Sequence, residues 1–214
     1  METRFERKWK IKEKYYNQIF FSLQNSKFKF SKLYEPRWVN SIYYDDVFFN
    51  SIKQNLDGVN KKKLRIRWYG DKTKTNSINL EIKKKIGLIG TKQTKKIVSK
   101  KFIFNKKNLQ TLRDKIIKKY SFFINYQHTT STRYLRQYFI SQNEKIRATV
   151  DTKIEYCHLN LNYKNIGKIK DNNLILEFKY NSNDDDYCRK NLQNNFLRIT
   201  KNSKYANSFF YNNL

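Results

Sequence analysis

Residues 64–69 read Leu-Arg-Ile-Arg-Trp-Tyr. Successive side chains of a strand point to opposite faces, so Leu64, Ile66 and Trp68 share one face and Arg65 and Arg67 the other. One face can enter a core while the other fixes two cations. Residues 77–85 repeat the arrangement, with Ile78, Leu80 and Ile82 against Asn79, Glu81, Lys83 and Lys85. Residues 4–11 set Phe5, Trp9 and Ile11 against Arg4, Glu6, Lys8 and Lys10. Further strands are predicted over 38–45, 92–100, 132–141, 145–151 and 174–180. Strands that are apolar on one side and charged on the other predict a barrel with a charged lumen. Such a lumen suits a phosphate chain, not an oily ligand.

Helical spacing appears in three places. Tyr15, Tyr16, Ile19, Phe20 and Leu23 mark a helix over 12–23, and Leu109, Leu112, Ile116 and Ile117 mark one over 105–120 with Asn105 as its cap. Residues 189–211 read as mostly helical with a break near Asn202 and Ser203, and 46–56 as a short helix or turn. Asp57-Gly58 is a turn signal, Gly87 and Gly90 flank another turn, and the acidic run 184–186 is expected to be a surface loop. The fold class is therefore α+β: about eight antiparallel strands closed into a barrel with peripheral helices. No linker divides the chain, so a single domain over residues 1–214 is expected, although the pattern hints at two halves around 105–120.

The formal net charge of +28 implies a polyanionic partner: nucleic acid, an anionic membrane surface or polyphosphate. The chain is also rich in Asn, Ile and Tyr, as an A/T-biased coding sequence would be, so patterned arginines weigh more than the lysine total. Aromatic content of 16% and regular apolar patterning exclude a solvating disordered tail. No apolar run approaches the roughly 20 residues of a membrane span, and residues 1–10 lack a signal-peptide core. Cys157 and Cys188 are too few for a disulfide framework and read as reduced thiols of a cytoplasmic protein.

Charged residues on predicted strands form a candidate inward set: Glu6, Lys8, Arg65, Arg67, Glu81, Lys83, Arg136, Arg147, Glu177 and Lys179. Arginine offers planar forks to phosphate oxygens and lysine offers point charges. Glutamates among so many cations make sense as ligands for Mg²⁺ or Mn²⁺ bridging to phosphate. A half-buried sheet with a wet polar face would give the same pattern on one strand, but its recurrence on about six strands favours a cationic cage. Other chemistries find little support. There is no P-loop, and His128 and His158 are the only histidines, which leaves no His-based metal site or triad. His128 reads as a solvated loop residue. Asp45 and Asp46 end a strand and suit a turn or a metal, with the turn favoured. The Tyr and Trp residues interleaved with basic ones suit base stacking or, more commonly at this spacing, the core.

The ordered motifs resemble the VTC domain, the polyphosphate polymerase domain of the vacuolar transporter chaperone family, within the triphosphate tunnel metalloenzymes (CYTH-like superfamily). Residues 4–9, Arg-Phe-Glu-Arg-Lys-Trp, are similar to the family's opening Arg-x-Glu-x-Lys-aromatic strand. Residues 39–45 resemble its Ser-aliphatic-Tyr-Phe-Asp strand, 64–70 its Arg-x-Arg-x-Tyr-Gly segment and 80–83 its Leu-Glu-Ile-Lys strand. In the second half, Tyr134-Leu135-Arg136 with Tyr138, the run 147–152, Leu176-Glu177-Phe178-Lys179 and Ser203-Lys204-Tyr205 follow in the family's order.

The resemblance implies a tunnel of eight antiparallel strands. It implies transfer of the γ-phosphate of ATP to a growing inorganic polyphosphate chain, assisted by Mn²⁺ or Mg²⁺. By motif position, Arg65, Arg67, Lys83, Arg136 and Arg147 would be the catalytic phosphate-binding cations. Lys8, Lys179, Lys204 and Tyr134 would bind substrate. Glu177 would ligate the metal, with Glu6 and Glu81 as further metal or network residues. The partners implied are ATP and polyphosphate, with nucleic acid secondary and peripheral attachment to a membrane partner open. A triphosphatase or polyphosphate hydrolase, in which water replaces the chain as nucleophile, and a non-catalytic polyanion binder are the alternatives. A stand-alone form is expected, with no SPX domain and no membrane helices. Residues 87–100 align poorly with the family, so their lysines receive no role.

Overall fold

The computed structural model describes residues 4–57, 60–86, 89–159, 165–192 and 199–210. The strands are β1 (Arg4–Lys12), β2 (Ser31–Asp45), β3 (Asn60–Tyr69), β4 (Lys74–Thr75), β5 (Ile78–Ile86), β6 (Ile89–Val98), β7 (Phe102–Ile103), β8 (Gln127–Ile140), β9 (Arg147–Leu159), β10 (Asn165–Asp171) and β11 (Asn173–Asn181). The helices are α1 (Tyr16–Asn25), α2 (Asn50–Asp57), α3 (Lys106–Lys119), α4 (Asp185–Leu192) and α5 (Lys204–Phe210). Contacts divide the chain into two compact units.

The first unit comprises Met1–Arg37, Tyr134–Ile154 and Lys170–Asn202. Here β1 runs antiparallel to β11, and β11 to β9. Trp9 and Ile11 of β1, Ala148 and Val150 of β9 and Leu174, Leu176 and Phe178 of β11 fill the core with Ile19 and Leu23 of α1. The period-two pattern thus sends the intervening residues Glu6, Lys8, Glu177 and Lys179 to the opposite face. The acidic run 184–186 is not a surface loop. It ends a 3-10 turn (Ser182–Asp184) and opens α4, where acidic side chains favour the helix N-terminus, and Asp185 takes Arg7 at 2.7 Å and the Tyr180 hydroxyl at 2.9 Å.

The second unit comprises Trp38–Arg133, Glu155–Ile169 and Ser203–Leu214. In it β2, β3, β5 and β6 pair antiparallel in that order. Leu64, Ile66 and Trp68 meet Ile78, Leu80 and Ile82 on one face, covered by Leu109, Leu112 and Ile116 of α3. Asn105 caps α3 by accepting from the Asn108 N–H at 2.8 Å. Gly70, at φ +84°, turns the chain out of β3 and donates to the Trp38 carbonyl at 3.0 Å. His128 lies on β8 and is 5% exposed, so it is a buried strand residue and not a solvated loop residue.

The expected antiparallel sheet with peripheral helices is present, but its closure into an eight-stranded barrel is not. Among the described residues the main sheet has nine strands in the order β1-β11-β9-β8-β2-β3-β5-β6, with β10 on β9, and no sheet closes. The extra strand is β10, whose sequence Asn-Ile-Gly-Lys-Ile-Lys-Asp holds no apolar–polar alternation to read. At the other end of the order, β6 carries Lys92, Lys95 and Lys96, all exposed, and lysine on an edge strand opposes further pairing. The two-stranded β4–β7 ribbon stands apart from this sheet.

Candidate functional site

The second unit presents a charged face on the side of β2, β3, β5 and β6 away from its core. Residues directly opposite in an antiparallel pair share a face. Arg67 lies opposite Ser41, Arg65 opposite Tyr43 and Glu81, and Lys63 opposite Lys83, which in turn faces Lys92. Glu81 is the hub. Its Oε2 accepts from Arg65 Nε at 2.7 Å, with Arg65 Nη2 at 2.6 Å and Arg67 Nη1 at 3.5 Å, and its Oε1 accepts from Lys92 Nζ at 2.9 Å. Burial opposes the charged form of Glu81, but Arg65 and then Arg67 outweigh it and bring the pKa down from 4.5 to about 2. The Arg65 and Arg67 guanidiniums are further fixed by the Tyr43 hydroxyl at 3.1 Å and the Ser41 hydroxyl at 3.3 Å.

The same unit holds the Ser-Lys-Tyr segment. Lys63 Nζ donates to Ser203 Oγ at 3.0 Å, and Ser203 Oγ also accepts from the Ala206 N–H at 3.2 Å in the first turn of α5. Lys204, half-buried, is the first residue of α5. Tyr205 stacks on Tyr43 with ring centroids 4.8 Å apart and donates its hydroxyl to Asp45 Oδ2. Asp45 in turn accepts from the N–H groups of Ser51 at 2.9 Å and Ile52 at 3.0 Å, so it caps α2 and does more than form a turn.

The first unit presents its own charged face. Glu6 lies opposite Lys179 and Lys8 opposite Glu177 across β1 and β11. Lys8 Nζ is 3.5 Å from Glu6 and 3.8 Å from Glu177, while Lys179 Nζ is 3.7 Å from Glu6 and 3.2 Å from Glu177. Burial would lower the Lys8 pKa, but Glu177 and then Glu6 outweigh it and raise it. Arg136 grips Asp151 with two parallel bonds, Nε to Oδ1 at 2.6 Å and Nη2 to Oδ2 at 2.7 Å, and Asp151 is 0% exposed. The Arg136 guanidinium also lies 5.2 Å from the ring of buried Tyr134. Arg147 is exposed, opposite Lys179. Thr149 faces Glu177, and its buried hydroxyl has no hydrogen-bond partner among the described residues.

A family model for the VTC domain matches residues 3–211. The chain belongs to the VTC domain family. The fold of this VTC domain is similar to that of a proposed adenylate cyclase from Vibrio parahaemolyticus, at a TM-score of 0.58 and 11% identity over 98% of both chains. It is likewise similar to a proposed adenylyl cyclase from Hippeastrum with dominant triphosphatase activity, at 0.56 and 10% over 99% of this chain and 96% of that one. A proposed adenylate cyclase from Bacillus halodurans aligns at 0.52 and 16% over 94% and 95%. No curated protein matches the chain in sequence.

Within the VTC domain the predicted residues thus fall into two groups. Arg65, Arg67, Glu81, Lys83 and Lys204 lie in the second unit, and Glu6, Lys8, Tyr134, Arg136, Arg147, Glu177 and Lys179 in the first. Several partners escaped the sequence reading. Asp151 stands within the motif over 147–152, yet only its two bonds in the folded chain reveal it as the partner of Arg136. Lys92 lies in the poorly aligning stretch, and Lys63 and Ser203 are brought together by folding alone.

The donor chemistry can be tested against a divalent cation. Among the described residues no group of three His, Cys, Asp or Glu side chains could enclose a metal. Mg²⁺, however, is commonly held by one or two carboxylates plus substrate phosphates. Glu6 and Glu177, drawn together by the same two lysines beside the unpartnered Thr149 hydroxyl, fit that mode. Glu81 already pairs with three cations, Arg65, Arg67 and Lys92. No helix among the described residues is long and apolar enough to cross a membrane.

Proposed function

We propose that this single VTC domain is a metal-dependent polyphosphate polymerase that transfers the γ-phosphate of ATP to the end of an inorganic polyphosphate chain. One observation carries the reading: on the charged face of the second unit, Arg65, Arg67 and Lys92 converge on the carboxylate of Glu81, and Lys63 and Lys83 lie on the same face. Glu81 orders the Arg65 and Arg67 forks in advance, and the excess positive charge remains for phosphate. Phosphoryl transfer depends on positioning and charge neutralisation more than on a covalent protein group. A terminal oxygen of the chain attacks the γ-phosphorus, the bond to the β–γ bridging oxygen breaks, and ADP leaves. The attacking oxygen is already anionic, so no histidine or cysteine is required.

In this reading Arg136, Arg147, Lys8, Lys179 and Lys204 bind further phosphates, and buried Tyr134 positions Arg136. Glu6 and Glu177 hold Mn²⁺ or Mg²⁺, which when bound neutralises and orients phosphate oxygens. The two free, buried cysteines suit a reducing compartment, and we place the enzyme in the cytoplasm.

The dominant triphosphatase activity of the Hippeastrum protein supports a second reading, in which water takes the place of the chain end. The surplus of cations over carboxylates on the second unit's face favours retention of a long polyanion and hence the polymerase. The test is turnover by Arg67→Ala and Glu177→Ala proteins supplied with ATP, a short polyphosphate primer and Mn²⁺. A polymerase loses polymer synthesis in both with almost unchanged net charge. A passive polyanion binder keeps its affinity in both.

A further inference from the structure

The second unit carries another concentration of lysine, on the side of its sheet that packs α3. Lys84 stands opposite Lys62 across β5 and β3. The Lys62 ammonium lies 4.7 Å from the ring centroid of Phe123 and 5.4 Å from that of Tyr126. Burial, then the charge of Lys84, brings its pKa down to about 8 against the opposite pull of Asp46 and Asp45. On the neighbouring strand, Lys95 lies opposite Leu80 and so on the side of the sheet that α3 covers, and its charge lowers the pKa of Lys119 in the last turn of that helix. Lys84, Lys95 and Lys119 are exposed.

Like charges set against each other destabilise a sheet. Lysine in a last helical turn complements the helix dipole, and lysine on an edge strand discourages pairing. Neither effect requires Lys84 to face Lys62, or Lys95 to share their side of the sheet. A ligand that needs clustered positive charge does. The strip also connects with the charged face. Lys83 and Lys84 are neighbours on β5, and β6 carries Lys92, bonded to Glu81, three residues before Lys95. The sheet order ends at β6, whose residues 91–96 are exposed. An extended polyanion lying on Arg65, Lys83 and Lys92 reaches the strip by crossing that one strand.

We propose that Lys62, Lys84, Lys95 and Lys119 form an accessory track for the part of a linear polyphosphate chain remote from its reacting end. The proposal rests on the reading of polyphosphate as substrate. The composition of the strip favours a polymer of phosphates over nucleic acid. Single-stranded nucleic acids are held by aromatic stacking as well as by charge. On these strands the exposed aromatic among the described residues is Tyr69, at the far end of β3 from Lys62, about 23 Å away at the strand rise.

The test compares binding of tripolyphosphate and of long-chain polyphosphate across a salt series, without ATP or metal. The proteins are the parent and a Lys84→Ser/Lys95→Ser/Lys119→Ser variant. These side chains are exposed and mutually repulsive, so the variant should melt no lower than the parent. The expected result is a salt slope for the long chain reduced by about three, one per lysine, with tripolyphosphate unchanged. Equal slopes for the long chain, or an equal loss for both ligands, would overturn the track. So would a single-stranded oligonucleotide of matched charge that binds the parent more tightly than the long chain and loses more in the variant. Because no turnover is measured, failure of the polymerase reading leaves this outcome readable on its own.

Discussion

Arg65 and Glu81 stand directly opposite each other on β3 and β5, and the guanidinium closes on one carboxylate oxygen through Nε at 2.7 Å and Nη2 at 2.6 Å. Glu81 is 5% exposed, and its pKa is depressed from 4.5 to about 2. A carboxylate with a depressed folded-state pKa contributes stability above its unfolded value and loses it as the pH falls through the folded one. Urea denaturation should therefore show about 3 kcal/mol disappearing between about pH 4.5 and pH 2. A Glu81→Gln protein should lack most of that loss and be correspondingly less stable at pH 7.

Arg136, 13% exposed, pairs with the fully buried carboxylate of Asp151, and removing the arginine strands that buried charge. Arg136→Ala should cost about 3–5 kcal/mol in chemical denaturation. Replacing both, as Arg136→Met with Asp151→Leu, should recover most of that loss while leaving phosphate binding impaired. A double variant no more stable than the single one would contradict the assignment of the pair.

Glu177 shares Lys8 and Lys179 with Glu6, so Glu177→Gln leaves both lysines a carboxylate partner. The fold should tolerate the change. The Mn²⁺ concentration for half-maximal turnover should rise by about tenfold or more, as expected when a ligand or its support is lost. Metal titration of activity, set beside a melting curve, separates this from a stability defect.

Tyr205 holds Asp45 by a hydrogen bond and Tyr43 by stacking. Tyr205→Phe keeps the stack and deprives a buried carboxylate of a donor, at about 1–3 kcal/mol of stability, with turnover near that of the parent. Tyr205→Ala also removes the ring that supports Tyr43, the residue that bonds Arg65, and should raise the KM for the polyphosphate primer.

Much of this was legible before folding. The alternation over 64–69 was enough to separate the buried Leu64, Ile66 and Trp68 from the cations Arg65 and Arg67, because period two is a local property. Asn105 was legible as a cap for the same reason. The first half of β2 was not, because Pro36 and mostly exposed side chains erase the alternation there. The bonds from Lys92 to Glu81, Arg136 to Asp151 and Lys63 to Ser203 are set by strand register and by α5, which residue spacing does not encode. That no sheet closes among the described residues was hidden for a related reason. Strand number suggests closure, but whether two edges meet depends on pairing.

The fate of the γ-phosphate separates chain extension from hydrolysis. The protein should be incubated with γ-labelled ATP, Mn²⁺ and a short polyphosphate primer, and the label followed on a gel that resolves polyphosphate. A polymerase places the label in chains that lengthen with time, dependent on metal and lost in Arg67→Ala. Label released only as inorganic phosphate, with the primer unextended, would contradict it and establish hydrolysis instead.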